Sequence, residues 1–127
     1  MTHEHLLDVY AKLAVRTGLN LQRGQQLLIT APLDAVPLVR RITEHAYRAG
    51  ASLVTTIYAD DETTLARYQH APGEAFDVAP DWLFNGMAEA FKGGAARLAI
   101  AGENPALLAG QDPGRLSRAN KARSKAY

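Results

Sequence analysis

The stretch from residue 25 to residue 58 constrains the fold more than any other part of this chain. It starts with a short, almost uninterrupted apolar run at 25–30, which is typical of a strand covered on both faces. Apolar residues then recur at helical spacing over 34–49, and a second run rich in β-branched residues covers 52–58. This order predicts a βαβ unit, a motif in which ligands usually lie beyond the carboxyl ends of the strands.

The remaining segments add helices and a third strand. We expect helices over 60–70 and 81–92, a strand over 96–101 and further helices toward residue 127. An amino-terminal helix should end in a left-handed residue at Gly18. The face of this helix expected to pack on the sheet holds Leu6, Val9, Tyr10, Leu13, Ala14 and Thr17.

These elements predict a single α/β domain over 1–127. Its fold class is a small parallel three-stranded βαβαβ, or Rossmann-like, sandwich with an amino-terminal helix and extra carboxy-terminal helices. Three strands are few for a free-standing domain of this kind. The last helix has a weak apolar side, so we expect it to dock on a part of the protein outside these 127 residues.

Composition excludes several classes of protein. A net charge of +1 gives no overall attraction to nucleic acid or to an anionic membrane. The chain has no cysteine, which excludes disulfides and a thiol nucleophile and fits a reducing compartment. No apolar run approaches the roughly 20 residues that span a bilayer, and no signal peptide is visible. We therefore expect a cytoplasmic protein that binds neither nucleic acid nor membrane.

The expected strand ends argue against a phosphate site. The first is followed by residues 31–33, which contain no glycine and lose one backbone donor to Pro32. The others are followed by acidic side chains that would repel phosphate, namely Asp60, Asp61 and Glu103, with Asn104 beside the last. These four residues could hold a cation or the amino group of a ligand, which would make the chain a free-standing binding module. Helix capping and pairing with the helix dipole are the simpler interpretation of Asp60 and Asp61.

Residues for catalysis or metal binding are not grouped in this sequence. His45 and His70 each stand alone on predicted helices, and no paired zinc-ligand motif is present. No serine lies in a nucleophile elbow. Basic residues on the last helix, over 115–125, could contact nucleic acid, but cations are also favoured near a helix carboxyl end. We predict no catalytic residue and no metal ligand in this chain.

Several longer series of residues carry a family resemblance. They lie at 18–25, 31–32, 45–51, 67–72, 102–105 and 120–126, and include Gly18-Leu19-Asn20-Leu21-Gln22-Arg23-Gly24-Gln25 and Gly102-Glu103-Asn104-Pro105. Together they resemble the amino-terminal domain of the thermophilic metalloaminopeptidases. The resemblance runs along essentially the whole chain. Ala101 departs from the serine that is more usual before Gly102.

The resemblance implies a role for this segment within a larger enzyme. The family comprises dimeric exopeptidases that release amino-terminal residues from peptides with two divalent metals, often zinc or cobalt. Their metal ligands belong to a carboxy-terminal catalytic domain, so no position here corresponds to them. The resemblance therefore implies a non-catalytic domain that covers or gates the catalytic domain of the same polypeptide and is inactive alone. Asp60, Asp61, Glu103 and Asn104 are the candidates for contact with entering peptides.

Overall fold

The computed structural model describes residues 2–101. Within this range the chain forms helices and parallel strands that alternate after an amino-terminal helix, so the predicted α/β class is confirmed. The elements are α1 (His3–Leu13), β1 (Gln26–Pro32), α2 (Val36–Arg48), β2 (Leu53–Ala59), α3 (Asp61–His70), α4 (Asp81–Lys92) and β3 (Ala96–Ala99). The expected carboxy-terminal helices lie outside the described residues.

The described chain divides into two compact units. The sheet unit comprises residues 2–59 and 94–101, and the helical unit comprises residues 60–93. The sheet unit therefore contains α1, α2 and all three strands, whereas the helical unit contains α3, α4 and the segment between them.

The sheet has the strand order β2-β1-β3, and both pairings are parallel. The central strand β1 places Leu28 opposite Thr55 on one side and Arg97 on the other. The apolar run predicted to be a strand buried on both faces is this central strand, since Leu27, Leu28 and Ile29 are all buried. Every residue of the outer strand β2 is either exposed or half-buried.

One face of the sheet packs against α1 and α2. Alternate residues of β1 point to this face, and α2 contributes side chains at helical spacing. The buried apolar cluster consists of Ala11, Val15, Leu21, Leu27, Ile29, Ala31, Val39, Ile42 and Ala46. Ile29 and Ala46 are completely inaccessible to solvent, which identifies the contact of β1 with α2 as the centre of the core.

The prediction for the buried face of α1 is wrong. Ala11 and Val15 are completely buried, whereas Leu6, Tyr10 and Leu13 are exposed. The small side chain of Ala11 belongs to the same core cluster as Ala46 of α2. Leu6, Tyr10 and Leu13 therefore lie on the outer side of α1.

The end of α1 also differs from the prediction. The helix continues into a π-helical turn at Ala14–Gly18, and the residue in the left-handed region is Asn20, with φ 47°. Asparagine tolerates this conformation better than other residues with a Cβ atom. The connection to β1 is then fixed by a hydrogen bond of 2.7 Å, which the Gly24 N–H donates to the carbonyl oxygen of Gly50.

The helical unit has a small aromatic cluster. Phe76 is completely buried in a 3-10 turn at Gly73–Asp77, and its ring stacks on Tyr68 of α3 with centroids 5.5 Å apart. Met87 is the buried residue of α4. By contrast, Trp82 at the start of α4 is 77% exposed.

Candidate functional site

Asp60 caps the amino end of α3. Its Oδ2 accepts hydrogen bonds from the Thr63 backbone N–H at 3.2 Å and from the Thr63 hydroxyl at 2.7 Å. The Thr64 hydroxyl donates to the Asp60 carbonyl oxygen at 3.2 Å. One carboxylate oxygen is thus already engaged in stabilising the helix start, which agrees with the simpler interpretation of Asp60 from the sequence.

The structure places only two of the four predicted peptide-contact residues. Asp61 is the first residue of α3, directly after the cap, and is half-buried. Glu103 and Asn104 lie outside the described residues. The proximity of Asp60 and Asp61 to Glu103 and Asn104 therefore stays a prediction.

A second polar cluster joins α1 to α2, and sequence reasoning missed it. The His45 Nε2 lies 2.9 Å from the Asp8 Oδ1, and the Arg41 Nη1 lies 3.6 Å from the same oxygen. His45 is only 6% exposed, so the prediction that it stands alone is wrong. The pKa of Asp8 is held below its ordinary value mainly by the hydrogen bond with His45. The positive charge of Arg41 lowers this pKa further.

This second cluster has the geometry of a structural contact. Within residues 2–101, no serine or threonine hydroxyl is hydrogen-bonded to His45, and Thr43 two positions earlier donates to the Val39 carbonyl oxygen. A carboxylate, a guanidinium and a buried imidazole without a nucleophile fix the packing of α1 on α2. No sequence signal indicates this pairing, because Asp8 and His45 are 37 positions apart.

Arg67 of α3 organises the segment that leads to α4. Its Nη2 donates hydrogen bonds to the carbonyl oxygens of Ala75 at 3.0 Å and Val78 at 2.9 Å. Its guanidinium carbon lies 5.5 Å from the centre of the Phe76 ring. These contacts satisfy two backbone acceptors of an irregular segment and hold it against α3.

A shallow groove of about 310 Å³ lies within the helical unit. Its polar side is formed by α3 and its apolar side by the segment before α4 and by α4 itself. The lining residues are Thr63, Thr64, Arg67, Tyr68, Val78, Ala79, Pro80 and Phe84. The Thr63 and Thr64 hydroxyls donate to Asp60, so their hydrogens are already used in the helix cap.

The described residues do not fit a dinuclear metal centre. Such a centre needs several carboxylate and imidazole ligands around one point. Across residues 2–101, no group of three or more histidine, cysteine, aspartate and glutamate residues is arranged to hold a metal ion. No helix in that range is long and apolar enough to cross a membrane.

Comparison with known proteins places these observations in a family. A sequence model of the thermophilic metalloprotease family (M29) matches residues 3–127. Aminopeptidase T from Thermus thermophilus is 51% identical over 121 residues, which cover 95% of this chain and 30% of that protein. Aminopeptidase 2 from Geobacillus stearothermophilus is 45% identical over 123 residues, or 97% of this chain and 30% of that protein.

The fold agrees with that of a solved structure. The structure described as wild-type AmpT from Thermus thermophilus superposes with a TM-score of 0.95 at 49% identity. The superposition covers 99% of this chain and 32% of that one. The chain therefore spans a little under a third of the length of the curated relatives it matches, and the match is to their amino-terminal part.

Proposed function

This chain belongs to the thermophilic metalloprotease (M29) family, and we propose that it is the non-catalytic amino-terminal domain of a metal-dependent aminopeptidase. The observation that carries the proposal is a match along almost the whole chain to about 30% of each aminopeptidase relative. The proposal assigns metal binding to residues outside the range 2–101, in which no group of possible metal ligands lies together.

In this proposal the catalytic domain belongs to the same polypeptide and holds two divalent metals, zinc or cobalt. When bound there, such a pair would supply Lewis-acid activation of water and of the peptide carbonyl, and the proposal assigns none of its ligands to residues 2–101. The 127-residue domain covers the catalytic domain and limits access to short peptides. We further propose that the full enzyme is a cytoplasmic homodimer.

The test compares the 127-residue chain with the longer polypeptide. Each is treated with chelator, reloaded with cobalt or zinc, and assayed with an aminoacyl chromogenic substrate and for bound metal. We expect metal-dependent turnover and bound metal in the longer polypeptide, and neither in the 127-residue chain. Turnover or stoichiometric metal in the 127-residue chain contradicts the proposal.

Contact with entering peptides is proposed for Asp60, Asp61, Glu103 and Asn104. Their polar and acidic side chains suit the free amino group that every aminopeptidase substrate carries. In the longer polypeptide, Asp61→Asn should raise KM for a tripeptide by about twofold to fivefold, the effect of losing one solvent-screened charge interaction, with kcat unchanged.

Glu62→Gln is the matched control for Asp61→Asn, because Glu62 is the exposed acidic neighbour in the same helical turn and is not proposed to meet the peptide. An equal rise of KM in both variants would show that the effect comes from the loss of a negative charge near the start of α3 and not from a specific contact of Asp61. No rise in Asp61→Asn would remove Asp61 from the proposed contact.

A further inference from the structure

Two large apolar side chains are exposed at the start of α4 and in the segment just before it. Trp82 is 77% exposed, more than any other large apolar side chain among the described residues. Val78, four positions earlier, is 64% exposed and also lines the groove of the helical unit. Single exposed apolar residues are common, but tryptophan is enriched among the residues that anchor interfaces.

Gly86 provides an independent observation on the same side of α4. It lies four positions after Trp82, so both occupy one face of the helix. A glycine in a helix interior destabilises the helix relative to alanine. Yet a Cβ atom at Gly86 would meet no described atom within 4 Å, so packing inside the described chain does not require glycine. The open space at this position leaves room for another surface to come close to the helix backbone.

We propose that the face of α4 that holds Trp82 and Gly86 is the surface on which the remainder of the longer polypeptide docks. Trp82 is the anchor, and Gly86 is the point where the partner comes nearest to the α4 backbone. This inference rests on the proposed function, because that proposal supplies the larger polypeptide. The relatives extend far beyond the matched region, which covers only 30% of their length.

The size of the surface favours a covalently joined partner over a second copy. A tryptophan buries about 150–250 Å² in a contact, whereas a stable interface between separate chains buries about 1,200–2,000 Å² in total. One face of one helix supplies only a fraction of that area. A partner in the same polypeptide needs less contact, because the link gives a high effective concentration.

Oxidative footprinting tests the burial of Trp82 directly. Trp82 is the one tryptophan of these 127 residues, and its oxidation by hydroxyl radicals can be followed by mass spectrometry. We expect Trp82 to be oxidised readily in the 127-residue chain and to lose that reactivity in the longer polypeptide. Tyr10, 57% exposed on α1 and outside the proposed surface, serves as the dose control.

Two results would overturn the inference. One is equal oxidation of Trp82 in both polypeptides. The other is protection of Trp82 in the 127-residue chain that disappears on dilution, which would assign the surface to a second copy.

Gly86→Ala tests the close approach. In the 127-residue chain this change should raise Tm, because alanine favours the helix and the space is open. In the longer polypeptide it should weaken the protection of Trp82 from oxidation, because the added methyl group keeps the docked part of the polypeptide away from α4. Gln69→Ala, at an exposed position of α3, should leave that protection intact. Unchanged protection in Gly86→Ala would contradict a close approach at this glycine.

These outcomes are separable from those of the activity assay. If the longer polypeptide has no aminopeptidase activity but protects Trp82, the proposed function fails and the docking surface stands. If it is active and Trp82 is as reactive as in the 127-residue chain, the docking surface fails and the proposed function stands.

Discussion

The sheet unit and the helical unit are stabilised in different ways. In the sheet unit, α1 and α2 bury a continuous apolar cluster against the central strand. In the helical unit, the cluster of Tyr68 and Phe76 is small, and Arg67 fixes the irregular segment through backbone carbonyls. Apolar burial therefore dominates the stability of the sheet unit. Specific polar contacts carry a larger share of the stability of the helical unit. Apolar substitutions in the sheet unit and polar substitutions in both units test this difference.

The largest effect is expected from Ile29→Ala in the sheet unit. Ile29 is completely buried on β1, and removing its side chain leaves a cavity that should lower the free energy of unfolding by about 3–4 kcal/mol. Urea unfolding followed by circular dichroism measures the loss. Ile57→Ala on the outer strand β2, where the side chain is half-buried, is the control. Equal losses in the two variants would argue against a core centred on β1.

The next effect is expected from Arg67→Met in the helical unit. Methionine keeps much of the aliphatic length but removes both hydrogen bonds to the Ala75 and Val78 carbonyl oxygens. We expect local opening of the segment before α4 to become easier by about 2 kcal/mol, measured by amide hydrogen exchange over 71–80.

Arg48→Met provides the comparison for Arg67→Met. Among residues 2–101, Arg48 pairs only with Glu44 on the exposed side of α2, at 2.6 Å, and such pairs contribute about 0.3–0.5 kcal/mol. If hydrogen exchange over 71–80 is as slow in Arg67→Met as in the unchanged chain, polar contacts do not hold the helical unit in the way inferred.

A smaller effect is expected from Asp60→Ala at the start of α3. Loss of the capping oxygen should destabilise the helix by about 1 kcal/mol, seen as faster exchange in its first turn. Asp60→Asn keeps an oxygen that can accept from the Thr63 N–H, so it should lose much less. Equal losses in the two variants would indicate that the charge of Asp60, and not its hydrogen bonds, stabilises the helix.

The smallest effect is expected from the contact of Asp8 with His45 and Arg41. The pKa of Asp8 is lowered in the folded state, so its ionised form stabilises the fold above the ordinary pKa of an aspartate. This contribution is lost as the pH falls through the lowered value. The stability advantage of the unchanged chain over Asp8→Asn should therefore shrink as pH decreases below about 4. An advantage that is the same at every pH would contradict the role of the charge.

Much of the fold could be predicted because its signals are local. The apolar run of β1 and the β-branched run of β2 mark these strands within a few residues of their observed bounds. The cap at Asp60 was also readable, because its partner Thr63 is three positions away. The family could be recognised because the matching series keep their spacing along the chain.

The errors concern contacts between distant segments. Two faces of α1 have apolar residues at helical spacing, and sequence alone favours the bulkier one with Leu6, Tyr10 and Leu13. The choice of the other face depends on the close packing of small side chains between α1 and α2. The pairing of His45 with Asp8 depends on the same packing, so it could not be found before the orientation of α1 was known.

The strand order has a consequence for handling this protein. In a three-stranded sheet two strands are outer strands, and β2 is paired on one side only among the described residues. Its sequence, LVTTIYA, has no charge and no proline, the features that usually protect an outer strand from pairing with another molecule. Concentrated samples of the 127-residue chain should therefore aggregate through β2. Thr55→Lys, at an exposed position of β2, should slow this aggregation.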